Sequence, residues 1–332
     1  MVLRLTKPYF NGSETEAVKE VLESGWLAEG KKTEEFEKVL CEVTESDYAV
    51  AVCNATVGLE LCLRALDIKG CVATSAFGHP ATVRAILNAD CVPYFVDVNI
   101  ETYNIEVTPE LRLGSKRRKM AAYMPVSWGG NPNYIINFDG SPVIEDAACS
   151  LGAGDNYGRG TRVFSFHPRK LVTTGEGGAV TTNDEKLADS IRDLKNFGRG
   201  NYRFDDIRAA IGIEQLKKLN YLLKIRREMA RIYDELLKDL PVVAPKTHYH
   251  NTHTYQTYAI LLKRGNRNRI IDTLKAKGIE SQIGAYALAP LKNAQTLADN
   301  LLSLPMSYTL SFSDQERVVD ELKSAISKTS HS

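Results

Sequence analysis

An α/β fold with a mostly parallel, doubly covered sheet in a large domain, followed by a smaller C-terminal α+β domain, is what the sequence predicts. Three observations carry this. Short apolar runs alternate with amphipathic segments through the first half of the chain. The apolar runs are continuous, as in strands buried on both faces. Finally, 332 residues exceed one simple core yet fall short of three domains. The expected division is residues 1–222 and 223–332.

The elements follow in order. Gly12-Ser13-Glu14-Thr15-Glu16-Ala17 opens a helix running to about Glu23, with Ser13 and Glu16 in capping-box spacing. Ser24 to Gly30 reads as a loop, and Lys32 to about Val43 is helical again. Ala49-Val50-Ala51-Val52-Cys53 is a buried strand, and Thr56 to Leu66 a helix. Strands at Cys71–Thr74 and Cys91–Val96 flank a helix at Pro80–Asn88. Further strands are expected at Ala121–Val126, Val143–Glu145, Val163–Phe166 and Gly178–Thr182. Lys186–Asn196 is helical, the Gly198-Arg199-Gly200-Asn201 segment turns, and Asp205 to about Leu240 carries long helical periodicity. A strand at Tyr255–Leu262, a helix at Arg269–Lys277 and an amphipathic helix at Ser313–Ile326 complete the chain. Right-handed crossovers between parallel strands would gather ligands at the strands' carboxyl ends.

Composition excludes some functions. With 42 basic and 41 acidic residues the net charge is +1, so no broad field recruits nucleic acid or an anionic membrane. No stretch approaches a membrane span, and the Met1-Val2-Leu3-Arg4-Leu5 start lacks the apolar run of a signal peptide, so a cytoplasmic location is expected. The six cysteines (Cys41, Cys53, Cys62, Cys71, Cys91 and Cys149) show no metal-site spacing and read as reduced core residues, Cys149 excepted; no metal is expected.

The chemistry concentrates in Phe164-Ser165-Phe166-His167-Pro168-Arg169-Lys170 and the Thr173-Thr174-Gly175-Glu176-Gly177-Gly178 turn after it. A lysine confined among small and aromatic residues suits Schiff-base chemistry, because only a neutral amine attacks a carbonyl. Asp146 leaves an apolar strand at the ligand-binding edge of the sheet, where it either faces a cofactor or caps a helix. Asn54-Ala55-Thr56-Val57-Gly58 joins a strand to a helix, so Thr56 and the Ala55 amide suit a phosphate cradle or, more simply, a helix cap.

Taken together, Val143-Ile144-Glu145-Asp146-Ala147-Ala148, the segment around Lys170, Asn201-Tyr202-Arg203, Ala209-Ala210-Ile211-Gly212 and Gln215-Leu216 resemble the DegT/DnrJ/StrS sugar aminotransferases. The resemblance extends from Leu5-Thr6-Lys7-Pro8 to Leu304-Pro305. It implies an aspartate aminotransferase-like fold (fold type I), pyridoxal 5'-phosphate as cofactor and a homodimer with shared active sites. It implies Lys170 as the cofactor's Schiff-base partner and shuttle of the proton, and Asp146 as partner of the pyridine nitrogen. Ser165 joins the phosphate site by its spacing to Lys170, Asn201 reaches the phosphate of the neighbouring subunit, and Phe77 stacks on the ring.

The chain also departs from that pattern. Cys149 stands where relatives place glutamine or histidine near the cofactor's phenolic oxygen, and a thiol is a weak donor. Ser127 and Leu288 stand where relatives often carry histidines. The substrate side is thus the least transferable part, with Trp26, Trp128 and Tyr286 as candidates. Because Lys170 holds the lysine position, the dehydratase chemistry of relatives with histidine there is disfavoured. The expected reaction moves an amino group from glutamate to a nucleotide-linked keto-sugar by a ping-pong mechanism. Transfer to a cyclitol or another keto compound, or a non-catalytic sensor or scaffold, is the alternative. The stretch from Asn133 to Ser141 is compact next to what the resemblance implies.

Overall fold

The computed structural model describes residues 2–106, 119–133, 140–153, 160–198, 200–247 and 253–329. Residues 134–139, the body of the compact stretch, and Arg199 of the expected turn lie outside them. In chain order the elements are α1 (Ser13–Ser24), α2 (Lys31–Thr44), β1 (Tyr48–Val52), α3 (Ala55–Ala65), β2 (Cys71–Ser75), β3 (Phe77–Gly78), α4 (Pro80–Asn88), β4 (Val92–Val96), β5 (Ala122–Met124) and β6 (Ile144–Asp146). They continue with β7 (Thr161–Ser165), β8 (Gly178–Thr182), α5 (Glu185–Phe197), α6 (Asp206–Leu216), α7 (Leu219–Leu236), β9 (Val242–Val243), β10 (Tyr258–Leu262), α8 (Arg267–Ala276), β11 (Gln282–Ile283), β12 (Tyr286–Ala287), α9 (Lys292–Asn300), β13 (Leu301–Leu304) and α10 (Phe312–Thr329).

The large sheet runs β4-β2-β5 in parallel and β6-β7-β8-β1 beside it, the two halves joined by parallel bridges Tyr123↔Val143 and Val126↔Asp146. β6 and β7 are parallel, while β8 is antiparallel to both β7 and β1. Strand alternation explains the continuous apolar runs. Val50, Val52, Val163 and Val180 enter one core with Leu59, Leu63, Ile86 and Ile191, whereas Ala49, Ala51, Phe164 and Ala179 enter another with Leu40, Ile213 and Leu222. In the second core Phe36 meets Phe166 edge-on and stacks on Phe204, each at 5.3 Å between centroids. Truncating such a ring to alanine costs about 3–5 kcal/mol.

A smaller antiparallel sheet, β11-β13-β10-β9, shares a third core with α7, α8 and α10. The proposed boundary at 222 falls inside α7, which puts Leu222 and Leu223 in the second core and Met229, Ala230 and Tyr233 in the third. The long periodicity from Asp205 resolves into α6 and α7 because the chain turns at Lys217 and Lys218, where Lys218 reaches back to Glu14 and Asn11.

Several helix starts follow local capping rules. The side chains of Asn54, Asp184, Asp205 and Asn266 accept from amides three residues on, and His79 precedes Pro80 at the start of α4. The capping box at Ser13 and Glu16 does not form. Gly12 is the cap residue of α1, Ser13 hydrogen-bonds Asn11 instead, and the buried Glu14 carboxylate pairs with Gln215 and Lys218. At α2 the cap residue, Gly30, offers no side chain. The carboxylate of Asp206, buried and far along the chain, accepts from the amides of Gly30 and Thr33 and from Thr33 Oγ1 at 2.8–2.9 Å.

Candidate active site

A cleft of about 530 Å³ opens at the carboxyl edge of β6 and β7. Its wall includes Ala55 and Thr56 at the start of α3, Asp146, Cys149, Ser165 and Lys170, with Gln282 and Tyr286 from the C-terminal part of the chain. Residues scattered through the sequence thus converge, as expected at the strand ends of an open sheet.

Lys170 is held by a tight turn. Its amide donates to the His167 carbonyl at 2.8 Å, while the Phe166 carbonyl accepts from the Thr174 amide and Thr173 Oγ1. Lys170 Nζ lies 3.2 Å from Cys149 Sγ. Asp146 ends β6 at 7 % exposure. Its Oδ2 accepts from Thr82 Oγ1 at 2.6 Å and its Oδ1 from the Ala148 amide at 3.2 Å, so the carboxylate is fixed from α4 on one side and from its own turn on the other. Among the described residues 147–153 no helix follows it, so Asp146 caps none there.

At the start of α3, Asn54 takes up the Val57 amide with its side chain and the Gly58 amide with its carbonyl. The amides of Ala55 and Thr56 have no acceptor among the described residues, as the first donors of a helix require an outside partner. Gly178 makes this cradle possible. A Cβ there would stand 2.5 Å from both the Ala55 nitrogen and the Asn54 carbonyl carbon, so only glycine lets β8 approach the helix start so closely. Ser165 faces Gly178 in register across the β7 and β8 pair.

The cleft therefore offers unpartnered amides and hydroxyls for an anion, an amine for a carbonyl, and an oriented carboxylate for a cationic ring nitrogen. That donor set fits pyridoxal phosphate, the cofactor expected from the sequence.

Trp128 and Tyr286 line the cleft as expected. Trp128 is nearly buried and braced edge-on against Tyr103 at 5.4 Å, whereas Tyr286 is exposed. Ser127 Oγ, one of the departures, hydrogen-bonds the Glu145 carboxylate, which turns away from Asp146 in the alternating strand.

Three expectations are placed elsewhere. Phe77 is 0 % exposed and absent from the cleft wall: β3 pairs with β12, Phe77 opposite Ala287, and the ring packs on Trp128 at 5.4 Å. Another aromatic ring on the wall, beside Trp128 and Tyr286, is that of His79, for which the sequence reading assigns no role. Its Nδ1 accepts the Ala81 amide, and burial followed by the Lys170 charge pulls it below the usual histidine range, with Asp146 opposing. The signal was present in His79-Pro80, a cap residue and a first-turn proline directly after a strand. Trp26 does not line the cleft of its own chain, because its loop is fastened to α6 through Leu27, Gly30 and Asp206, leaving the indole 62 % exposed. Asn201 is also exposed and off the wall, its Oδ1 accepting from the Arg203 amide.

His167 and Arg169, from the motif around Lys170, and Gln256, which the pattern did not single out, are further wall residues. Gln256 donates to the Arg169 carbonyl and Arg169 to Gln282, tying the lysine turn to the C-terminal part of the chain.

Comparison with known proteins agrees with this arrangement. The model of the DegT/DnrJ/EryC1/StrS aminotransferase family matches residues 8–323. The uncharacterized protein MJ1066 of Methanocaldococcus jannaschii is 31 % identical over 97 % of each chain. Among solved structures, a DegT DnrJ EryC1 StrS aminotransferase from Brucella abortus is 30 % identical over 95 % of each chain with a TM-score of 0.87. DesI, solved in the presence of its TDP-sugar product, is 27 % identical over 99 % of this chain and 94 % of its own, with a TM-score of 0.89. With the fold-type-I architecture and a family match spanning nearly its whole length, the chain belongs to the DegT/DnrJ/EryC1/StrS aminotransferase family.

Proposed function

We propose that the protein transfers an amino group from glutamate to a nucleotide-linked keto-sugar, alternating the two half-reactions in one cleft. The observation that carries the chemistry is the convergence of Lys170 Nζ, the Asp146 carboxylate and the free amides of α3. The TDP-sugar product of DesI supports a nucleotide-linked acceptor.

When bound, pyridoxal phosphate supplies an electrophilic carbonyl and a ring that accepts an electron pair. The amides of Ala55 and Thr56, with the hydroxyls of Thr56 and Ser165, anchor its phosphate. The Asp146 carboxylate, held by Thr82, would pair with the ring nitrogen and favour its protonated form. His79 presents its imidazole to the cleft in place of Phe77, and the nearly buried Trp128 also lines it. Lys170 Nζ would hold the cofactor through its carbonyl and, when released, would take and return a proton at the reacting carbon.

The active form proposed is a homodimer in which Asn201 reaches the phosphate site of a partner subunit. Exposed apolar side chains support it: Trp26 at 62 % and Phe197 at 84 % lie on segments held together by the Lys195 to Glu29 and Asp206 to Gly30 contacts. Among the described residues no helix is long and apolar enough to cross a membrane, and the cytoplasm is the proposed location.

The test is a half-reaction. Protein loaded with pyridoxal phosphate and given glutamate alone should release 2-oxoglutarate stoichiometrically, and a panel of keto-sugar nucleotides should then restore the starting spectrum. Lys170→Ala should bind cofactor without the visible absorption of the lysine-linked form and release none. Cofactor binding with no turnover of any amino acid would refute the assignment.

A further inference from the structure

We infer that Cys149 and Lys170 form an oxidation-sensitive pair, in which a peroxide entering the cleft links Sγ to Nζ through a direct sulfur–nitrogen bond. The link itself rests on geometry alone. Its consequence, a lysine closed to the cofactor until a thiol reduces it, rests on the function proposed above.

Cys149 Sγ and Lys170 Nζ are 3.2 Å apart on the wall of an open cleft, and both residues are partly exposed, so a small oxidant reaches the thiol. Their backbones are pinned. The Cys149 carbonyl accepts from Thr254 Oγ1 and the Lys170 amide donates to His167, each at 2.8 Å. The lysine stem remains free to rotate the last distance.

Selectivity follows from contact. None of the other five thiols touches a lysine amine among the described residues, and burial raises those of Cys41, Cys53, Cys62 and Cys91, which withholds their reactive thiolate.

Peroxide first oxidises the thiol by two electrons: the cysteine thiol and hydrogen peroxide give a sulfenic acid and water. The neutral lysine amine then displaces hydroxide from sulfur, so a sulfur–nitrogen bond replaces the sulfur–oxygen bond and a second water leaves with the amine's proton. Two equivalents of an added thiol return the free cysteine thiol and the free lysine amine, and leave as their own disulfide. Cofactor already joined to the amine protects it, which makes the cofactor-free protein the sensitive form.

The experiment treats the full-length chain, stripped of cofactor, with hydrogen peroxide. The expected result is an intact mass lower by about 2 Da and a cross-linked peptide joining Cys149 to Lys170. The oxidised protein should lose pyridoxal phosphate uptake, and dithiothreitol should restore both mass and uptake. Cys149→Ala should gain no link, and Lys170→Gln should stop at the sulfenic acid, about 16 Da heavier. A Cys149 that accumulates oxygen in the unmutated protein with no link to Lys170, or a link to another residue, overturns the proposal. If the link forms and cofactor still enters as before, the pair stands and the assigned role of Lys170 fails.

Discussion

Replacing Gly178 by alanine tests whether the phosphate cradle depends on the approach of β8 to α3. The added Cβ would sit 2.5 Å from the Ala55 nitrogen and 2.9 Å from the Asn54 carbonyl oxygen, about 0.9 Å or more inside ordinary contact for the closer pair. Both obstacles are backbone, and β8 is paired with β1 through Val52 and with β7 through Ser165, so neither strand nor helix start yields freely. Overpacking of this kind costs about 1–3 kcal/mol of stability. The shift also moves the amides of Ala55 and Thr56 away from a bound phosphate. Losing one charge-assisted hydrogen bond, about 1.5–3 kcal/mol, weakens the cofactor roughly 10- to 100-fold. Urea denaturation without cofactor reads the first effect, and an absorbance titration with pyridoxal phosphate reads the second. Gly160→Ala is the control, because nothing lies within 4 Å of its Cβ position. A Gly178→Ala protein with unchanged stability and cofactor affinity would refute the proposed origin of the cradle.

Three further outcomes follow from contacts in the structure. Thr82→Val removes the hydroxyl that orients Asp146 while keeping the volume, and should lower kcat by about tenfold, the weight of one bond to a charged group, with stability within about 1 kcal/mol. Asp206→Ala leaves the start of α2 and the Trp26 loop without their acceptor and should destabilise by about 3–5 kcal/mol, read as a lower urea midpoint. His253, buried against Tyr255, is pulled down to about 3 by burial and then by Arg227. The folded state therefore binds fewer protons than the unfolded one between pH 3 and 6.5, so stability is complete above about 6.5 and falls on acidification by at most about 1.4 kcal/mol per pH unit. His253→Asn should flatten that slope in denaturation curves taken across the window.

What the sequence revealed and what it hid separate along a physical line. β1 was legible because it is buried on both faces and reads as the unbroken apolar run Ala49-Val50-Ala51-Val52, whereas β7 and β8 carry only the short apolar pairs Val163-Phe164 and Ala179-Val180. Pro80–Asn88 and Gly178–Thr182 kept their expected ends because proline and glycine mark them locally. β3, β12 and α9 left no comparable signal. The first two are two-residue strands that exist only by pairing with each other, and α9 buries only Ala294 and Leu297. The placement of Phe77 follows from that pairing. A lone phenylalanine after a strand reads as core, and only the resemblance moves it onto the cofactor; β12, from far along the chain, pairs across it and keeps it in the core. The wall position then passes to the residue that caps α4. Because His79 Nδ1 accepts the Ala81 amide, a neutral imidazole there carries its proton on Nε2, and the residue offers the cleft a donor that phenylalanine lacks. A contact formed across the whole length of the chain thus changes the chemistry of the wall, even where the lysine, the aspartate and the helix start were all readable from local sequence.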